Sequence, residues 1–112
     1  MPTRLTYAIK YVDDMDSAVA FHVNELGLAL KFQSPQWTEF STGETTLALH
    51  EATEGKPAGS VQLGFGVEDV EAFYEARSAA GMTFTQPPTA MHGMKIGRFL
   101  DSEGAECSIG GG

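Results

Sequence analysis

The residues of this chain able to do chemistry are few. His50 closes the run Thr46-Leu47-Ala48-Leu49, and Glu106 opens the run Glu106-Cys107-Ser108-Ile109. A histidine titrates near neutral pH, so with a carboxylate it makes a general acid–base pair. With Gln62 the two would supply donors for a divalent ion, although a usable site needs three or four convergent ligands with outer support. Plain hydrogen bonding at a cleft edge accounts for His50 equally well. His92 lies in Ala90-Met91-His92-Gly93-Met94, which reads as a loop. There, two methionines beside a histidine would make an adaptable lid over an apolar ligand. Trp37 offers a flat face for a ring or a cation, and Tyr7 and Tyr11 add two aromatics from one strand. His22 falls in a helical stretch, where packing is the expected role. Cys107 is the only cysteine, which excludes an intrachain disulfide and a cysteine-based zinc site and leaves it as a small hydrophobe. No Gly-rich phosphate loop, serine nucleophile elbow or zinc-binding helix motif is present.

Composition narrows the partners. The formal net charge is −8, which disfavours nucleic acid and would favour a cationic ligand, though solubility alone also explains it. There is no apolar run long enough for a membrane span and no apolar signal segment after Met1-Pro2-Thr3-Arg4, so a cytoplasmic location is the default expectation. A length of 112 residues suits one domain.

The elements that must position these residues repeat. Val12-Asp13-Asp14-Met15-Asp16 returns as Val67-Glu68-Asp69-Val70-Glu71, and the helical stretch each opens ends in a glycine and an apolar residue, Gly27-Leu28 and Gly81-Met82. Asp13 or Asp14, and Glu68 or Asp69, would cap the two helices, and Gly27 and Gly81 would close them. Met15, Val19, Val23 and Leu26 share one side of the first helix; Val70, Phe73 and the stem of Arg77 share one side of the second. Strands are expected at 5–12, 28–33, 37–41 and 45–51, and again at 60–67, 83–85, 95–100 and 105–109. The breaks between them include Pro35, Thr42-Gly43-Glu44, Gln86-Pro87-Pro88 and Asp101-Ser102-Glu103-Gly104. Each half reads βαβββ: module one at 4–52, a linker at 53–59, module two at 60–109, and a frayed tail at 110–112.

This pattern resembles the vicinal oxygen chelate superfamily, the glyoxalase, bleomycin-resistance and extradiol dioxygenase group. Val12-Asp13-Asp14-Met15, Phe21 and Leu26-Gly27-Leu28 are similar to its opening motif, Thr46-Leu47-Ala48-Leu49 to its mid-chain strand, and Phe99-Leu100-Asp101-Ser102-Glu103-Gly104 to its closing turn. His22 stands where the family usually has Tyr, and Ser102 where it has Pro. The resemblance implies an α+β fold in which tandem βαβββ modules form a curved mixed sheet with a concave cleft. It also implies four metal-ligand positions on that face in the metal-dependent members, and drug sequestration without metal in the bleomycin-resistance proteins.

Strand alternation sorts the faces. Val61, Leu63, Phe65 and Val67 should pack under a helix, with Ser60, Gln62, Gly64 and Gly66 opposite. Leu47, Leu49, Cys107 and Ile109 should point inward, and Thr46, Ala48, His50, Glu106 and Ser108 away. Lys10 blurs the first strand, but the repeat sets Tyr7 equivalent to Gln62, so Leu5, Tyr7, Ile9 and Tyr11 belong to the cleft face. By resemblance the ligand positions fall on Tyr7, Ala48, Gln62 and Ser108. Alanine has no donor atom, and neutral serine and tyrosine are poor ligands for a divalent ion. The expectation is therefore a metal-independent, cofactor-free binding protein. Tyr7, Tyr11, Trp37, His50, Gln62, His92 and Ser108 would contact a small organic molecule, cationic or planar, an antibiotic among the options. The rivals are a glyoxalase-like lyase or isomerase or a dioxygenase, with a displaced metal site or metal-free catalysis through His50 and Glu106, and an accessory module whose cleft is self-filled. A homodimer is expected, because paired modules leave sheet edges to cover.

Overall fold

The computed structural model describes residues 2–112. Among them are eight strands and two α-helices: β1 (Arg4–Val12), α1 (Met15–Ala20), β2 (Ala29–Gln33), β3 (Trp37–Ser41), β4 (Thr46–Glu51), β5 (Val61–Val67), α2 (Val70–Ala79), β6 (Phe84–Met91), β7 (Met94–Leu100) and β8 (Glu106–Gly111). The class is mixed α+β, and the order is two successive βαβββ modules. The chain divides into two compact units, residues 6–61 and residues 62–112 with 2–5.

In the unit 6–61 the strands run β2-β3-β4-β1. Strand β1 is parallel to β4, and the antiparallel β4 and β3 pair Leu47 with Phe40 and His50 with Trp37. Helix α1 starts where Asp14 accepts a hydrogen bond from the Ser17 backbone N–H at 3.1 Å, so Asp14 rather than Asp13 is the cap. The helix then widens into a π-helical turn over Phe21–Glu25, where the Leu26 N–H reaches back to the Phe21 carbonyl. One extra residue in the turn rotates the side chains beyond it about the helix axis. Met15, Ala18, Val19 and Val23 pack with Val12, Phe40 and Leu49, whereas Leu26, expected on the same side, is exposed. His22, three residues after Val19 on the same side of the helix, is buried, stacked on Phe40 at 5.4 Å, with Nδ1 2.7 Å from the Ala18 carbonyl. Gly27 comes next with a positive φ of 70°. The linker is tied back to β1, since the Gly59 N–H donates to the Tyr11 carbonyl and the Tyr11 N–H to that of Ser60.

In the unit 62–112 the order is β5-β8-β7-β6. Asp69 caps α2 by accepting from the Ala72 N–H at 3.0 Å. Val70 is buried with Val67, Phe99, Cys107 and Ile109, and Phe65, Phe73, Met82 and Phe84 close the cluster. Three expectations change here. The proline pair does not break the sheet: β6 runs through Gln86-Pro87-Pro88 to Met91, as an edge strand whose register shifts between Phe84 and Gln86 and again between Gln86 and Thr89. Edge position and bulges are what let prolines, which cannot donate, sit in a sheet. The glycine tail is not frayed: Gly110 and Gly111 pair with Gly66 and Val67, and the Gly112 carbonyl accepts from the Val70 N–H. Finally, Val61, Leu63 and Arg77 are exposed rather than packed under the helices. Alternation gives their parity, but the ten-residue α2 covers only Phe65 and Val67 of this strand.

Candidate functional site

On the face of the unit 6–61 opposite α1, register alone brings the aromatic residues together. Tyr7 pairs with Thr46, Ile9 with Ala48 and Tyr11 with His50, while β3 sets Trp37 beside His50 and Glu39 beside Ala48. Period-two alternation then puts all of these on one face. Tyr7 and Trp37 have ring centroids 6.0 Å apart, Trp37 and His50 are edge-on at 5.9 Å, and Tyr11 and His50 lie at 4.9 Å. Ile9, Tyr11 and Ala48 are buried beneath them.

Trp37 is locked at both ends. Its backbone N–H donates to Ser34 Oγ, which in turn donates to the Trp37 carbonyl, and the indole Nε1–H donates to Glu39 Oε2 at 2.8 Å. Glu39 also lies 3.7 Å from Lys31. His50 Nδ1 is 2.6 Å from the Glu51 carbonyl. A carbonyl only accepts, so Nδ1 carries the proton and Nε2 is the ring's acceptor. Burial, and then the negative charge of Glu39, push the Tyr7 phenol above its ordinary value. Its neutral form is therefore favoured in the folded state, a contribution present below pH 10.0 and lost as pH rises through the folded value. In a spectrophotometric titration of the three tyrosines, Tyr7 should ionise above pH 10.0, and Glu39→Gln should bring it part of the way back, since burial is the larger cause. A Tyr7 midpoint unmoved by Glu39→Gln would refute the electrostatic coupling.

In the unit 62–112 the face away from α2 carries Gln62, Gly64, Gly66, Glu106 and Ser108. Ser108 lies opposite Gly64 on β5 and Arg98 on β7. Gln62 is buried, and Glu106 accepts from Thr85 Oγ1 at 2.7 Å. His92 belongs to neither face. With φ of 50° it forms, with Gly93, the two-residue turn of the β6–β7 hairpin, exposed and tied by the Met91–Met94 pair, which makes it a tight turn and not a lid loop.

Three side chains escape the sequence reading. Glu39 shares the parity of Trp37, a signal available in Trp37-Thr38-Glu39. Arg98 is set opposite the core residue Phe99 by the same alternation. Thr85 is set on the open face by its neighbour Phe84, which packs against the core. A hollow lined by Asp13, Asp14, Asp16, Met15, Gln33, Ser34 and Pro35 lies elsewhere in the unit 6–61. Hydrogen bonds from Ser17 hold the Asp14 carboxyl below its usual range.

Residues 4–108 match the family described as the Glyoxalase/Bleomycin resistance protein/Dioxygenase superfamily. The chain belongs to this superfamily. Among solved structures it is similar to an NAD-dependent benzaldehyde dehydrogenase from Legionella pneumophila, 23% identical over 97% of both chains with a TM-score of 0.75. It is also similar to a superfamily member from Vibrio splendidus 12B01, 18% identical over 99% of this chain and 100% of that one, TM-score 0.78. A Streptomyces coelicolor methylmalonyl-CoA epimerase in complex with 2-nitronate-propionyl-CoA is 18% identical over 99% and 95% of the two chains, TM-score 0.78. At these identities the likeness is one of fold. No curated protein matches.

By the resemblance a metal would be held at Tyr7, Ala48, Gln62 and Ser108, and of these only Gln62 carries an atom suited to a divalent ion. Ala48 offers only a fully buried methyl. The Tyr7 phenol is held neutral by its surroundings, and a serine hydroxyl is a poor ligand. Among the described residues no group of three or more His, Cys, Asp and Glu side chains is placed to hold a metal. Nor is any helix among them long and apolar enough to cross a membrane.

Proposed function

We propose that this superfamily member is a metal-independent binding protein for a small organic molecule, planar or cationic, with antibiotics among its ligands. The observation that carries the reading is the aromatic face of the unit 6–61. Tyr7, Trp37 and His50 present ring faces and edges over the buried Tyr11, with the Glu39 carboxylate among them. Such a surface favours flat π-systems, and cations are attracted both by ring faces and by the carboxylate. Within the unit 62–112, Gln62 and Ser108 on the open face are assigned as candidate contacts of their own. The related epimerase holds a CoA derivative, which supports an organic ligand without naming this one. We further propose a cytoplasmic homodimer. A second reading, metal-free acid–base catalysis, draws on His50, whose bonded Nδ1 leaves Nε2 as a base.

Trp37 is the only tryptophan, so its fluorescence reports this face. Titration with a bleomycin, a planar aromatic cation and an uncharged planar analogue, each with and without chelator, should give saturable quenching that the chelator leaves unchanged. Tyr7→Ala should weaken binding by about 1–2 kcal/mol, roughly tenfold. Binding lost to the chelator and restored by a divalent metal would overturn metal independence. Silence from every compound would leave the accessory-module reading.

A further inference from the structure

We infer that the open face of the unit 62–112 is a carboxylate-binding site centred on Arg98, an assignment that does not depend on the aromatic face. Phe99 is committed to the core with Val67, Val70 and Ile109, so its neighbour Arg98 projects from the opposite face. There it stands directly across from Ser108 on β8 and Gln86 on β6. It is half-buried.

Arg98 differs from the other cations of this unit in its burial, since Arg77, which likewise makes no ion pair among the described residues, is exposed. The chain has fifteen acidic residues to seven Lys and Arg, so a carboxylate is easily found. Lys95 takes Glu71 at 3.2 Å, as Lys31 in the first half takes Glu39. Arg98 has no such partner among the described residues. A guanidinium partly withdrawn from water without a counter-charge is unfavourable until an anion supplies one.

The surroundings leave room for that anion. Gly64 lies next to Ser108, and Gly66 next to Gly110, so the β5–β8 part of this face carries few side chains. Ser108, directly across on β8, carries a hydroxyl donor on this face, while the Gln86 amide is already spent on the Ile96 carbonyl at 3.2 Å. The chemistry selects the anion. Two parallel N–H groups of a guanidinium match the two oxygens of a carboxylate. Glu106, one strand step away on the same face and held by Thr85 Oγ1, is a negative charge that repels a doubly charged phosphate more than a singly charged carboxylate. The site therefore takes a small organic monocarboxylate.

The test uses the whole ¹⁵N-labelled chain and three probes: sodium benzoate, methyl benzoate and inorganic phosphate, at matched ionic strength. Benzoate should shift the Arg98 Nε–H and the Ser108 and Gly110 amides saturably, and methyl benzoate should not. Arg98→Gln should weaken benzoate by about tenfold or more, and Arg98→Lys by less, because a point charge replaces the fork. The assignment is overturned if acid and ester shift the same resonances equally, if Arg98→Gln binds benzoate as well as the parent, or if phosphate binds more tightly than benzoate. The acid–ester comparison needs no variant, so it decides the matter even where Arg98→Gln fails to fold.

Discussion

Phe40→Ala should lower the unfolding free energy of this protein by about 3–5 kcal/mol. Phe40 is fully buried on β3 and packs with Val12, Val19 and Leu49 beneath α1. Its loss removes apolar burial and leaves a cavity that strand geometry cannot collapse. It also strips the stacked ring from His22, a buried polar side chain tied to the Ala18 carbonyl. Phe32, on the adjacent strand β2, is the internal control. It is 53% exposed, so Phe32→Ala should stay within about 0.5 kcal/mol of the parent. Urea unfolding monitored by far-UV circular dichroism checks both: the Phe40→Ala midpoint should fall with its slope unchanged. Equal costs at the two positions would contradict the burial pattern.

Gly111→Ala should cost about 1–3 kcal/mol, although it removes nothing and adds one methyl group. Gly111 has φ of 156°, and a Cβ there would stand 1.9 Å from the Val67 carbonyl oxygen, closer than any non-bonded contact tolerates. The last pair of the β5–β8 ladder, Val67 with Gly111, must then open. The Gly112 carbonyl that accepts from the Val70 N–H is carried away with it, so the first turn of α2 loosens too. The loss is bounded because only the end of β8 has to peel away. Gly110→Ala, one residue earlier in the same strand, meets nothing nearer than 3.8 Å and should be close to neutral. Thermal melts measure the difference, and amide exchange should show lost protection at Val70 in Gly111→Ala alone. Equal melting temperatures for the two variants would refute the account.

These residues also show how far a linear reading reaches. The βαβββ repeat, the caps Asp14 and Asp69, and the faces of β1, β3, β4 and β8 are all local properties, set by period-two alternation and by side chains that bond their own backbone. The aromatic face was legible for that reason: Tyr7, Tyr11, Trp37 and His50 share a parity, and parity survives whatever the strands pair with. The departures are non-local. Leu26 turned outward because the helix widened after Ala20. Gln86-Pro87-Pro88 stayed in a sheet because β6 has an edge where nothing needs its missing N–H. Gly110 and Gly111 are strand residues only because β5 lies alongside to pair with them.

By itself, then, the amino-acid order determined the repeat, the fold class, and which residues could meet on a face, because those depend on the fixed geometry of a strand and the chemistry of a helix cap. Only the tertiary structure decided which polar groups ended with partners. Glu39 went to Trp37 and Lys31, Glu106 accepted from Thr85, His50 Nδ1 went to the Glu51 carbonyl, and Arg98 makes no ion pair among the described residues. Partnering depends on distances across strands far apart in sequence, and that sets the physical limit of what a pattern of residues can say about a binding site.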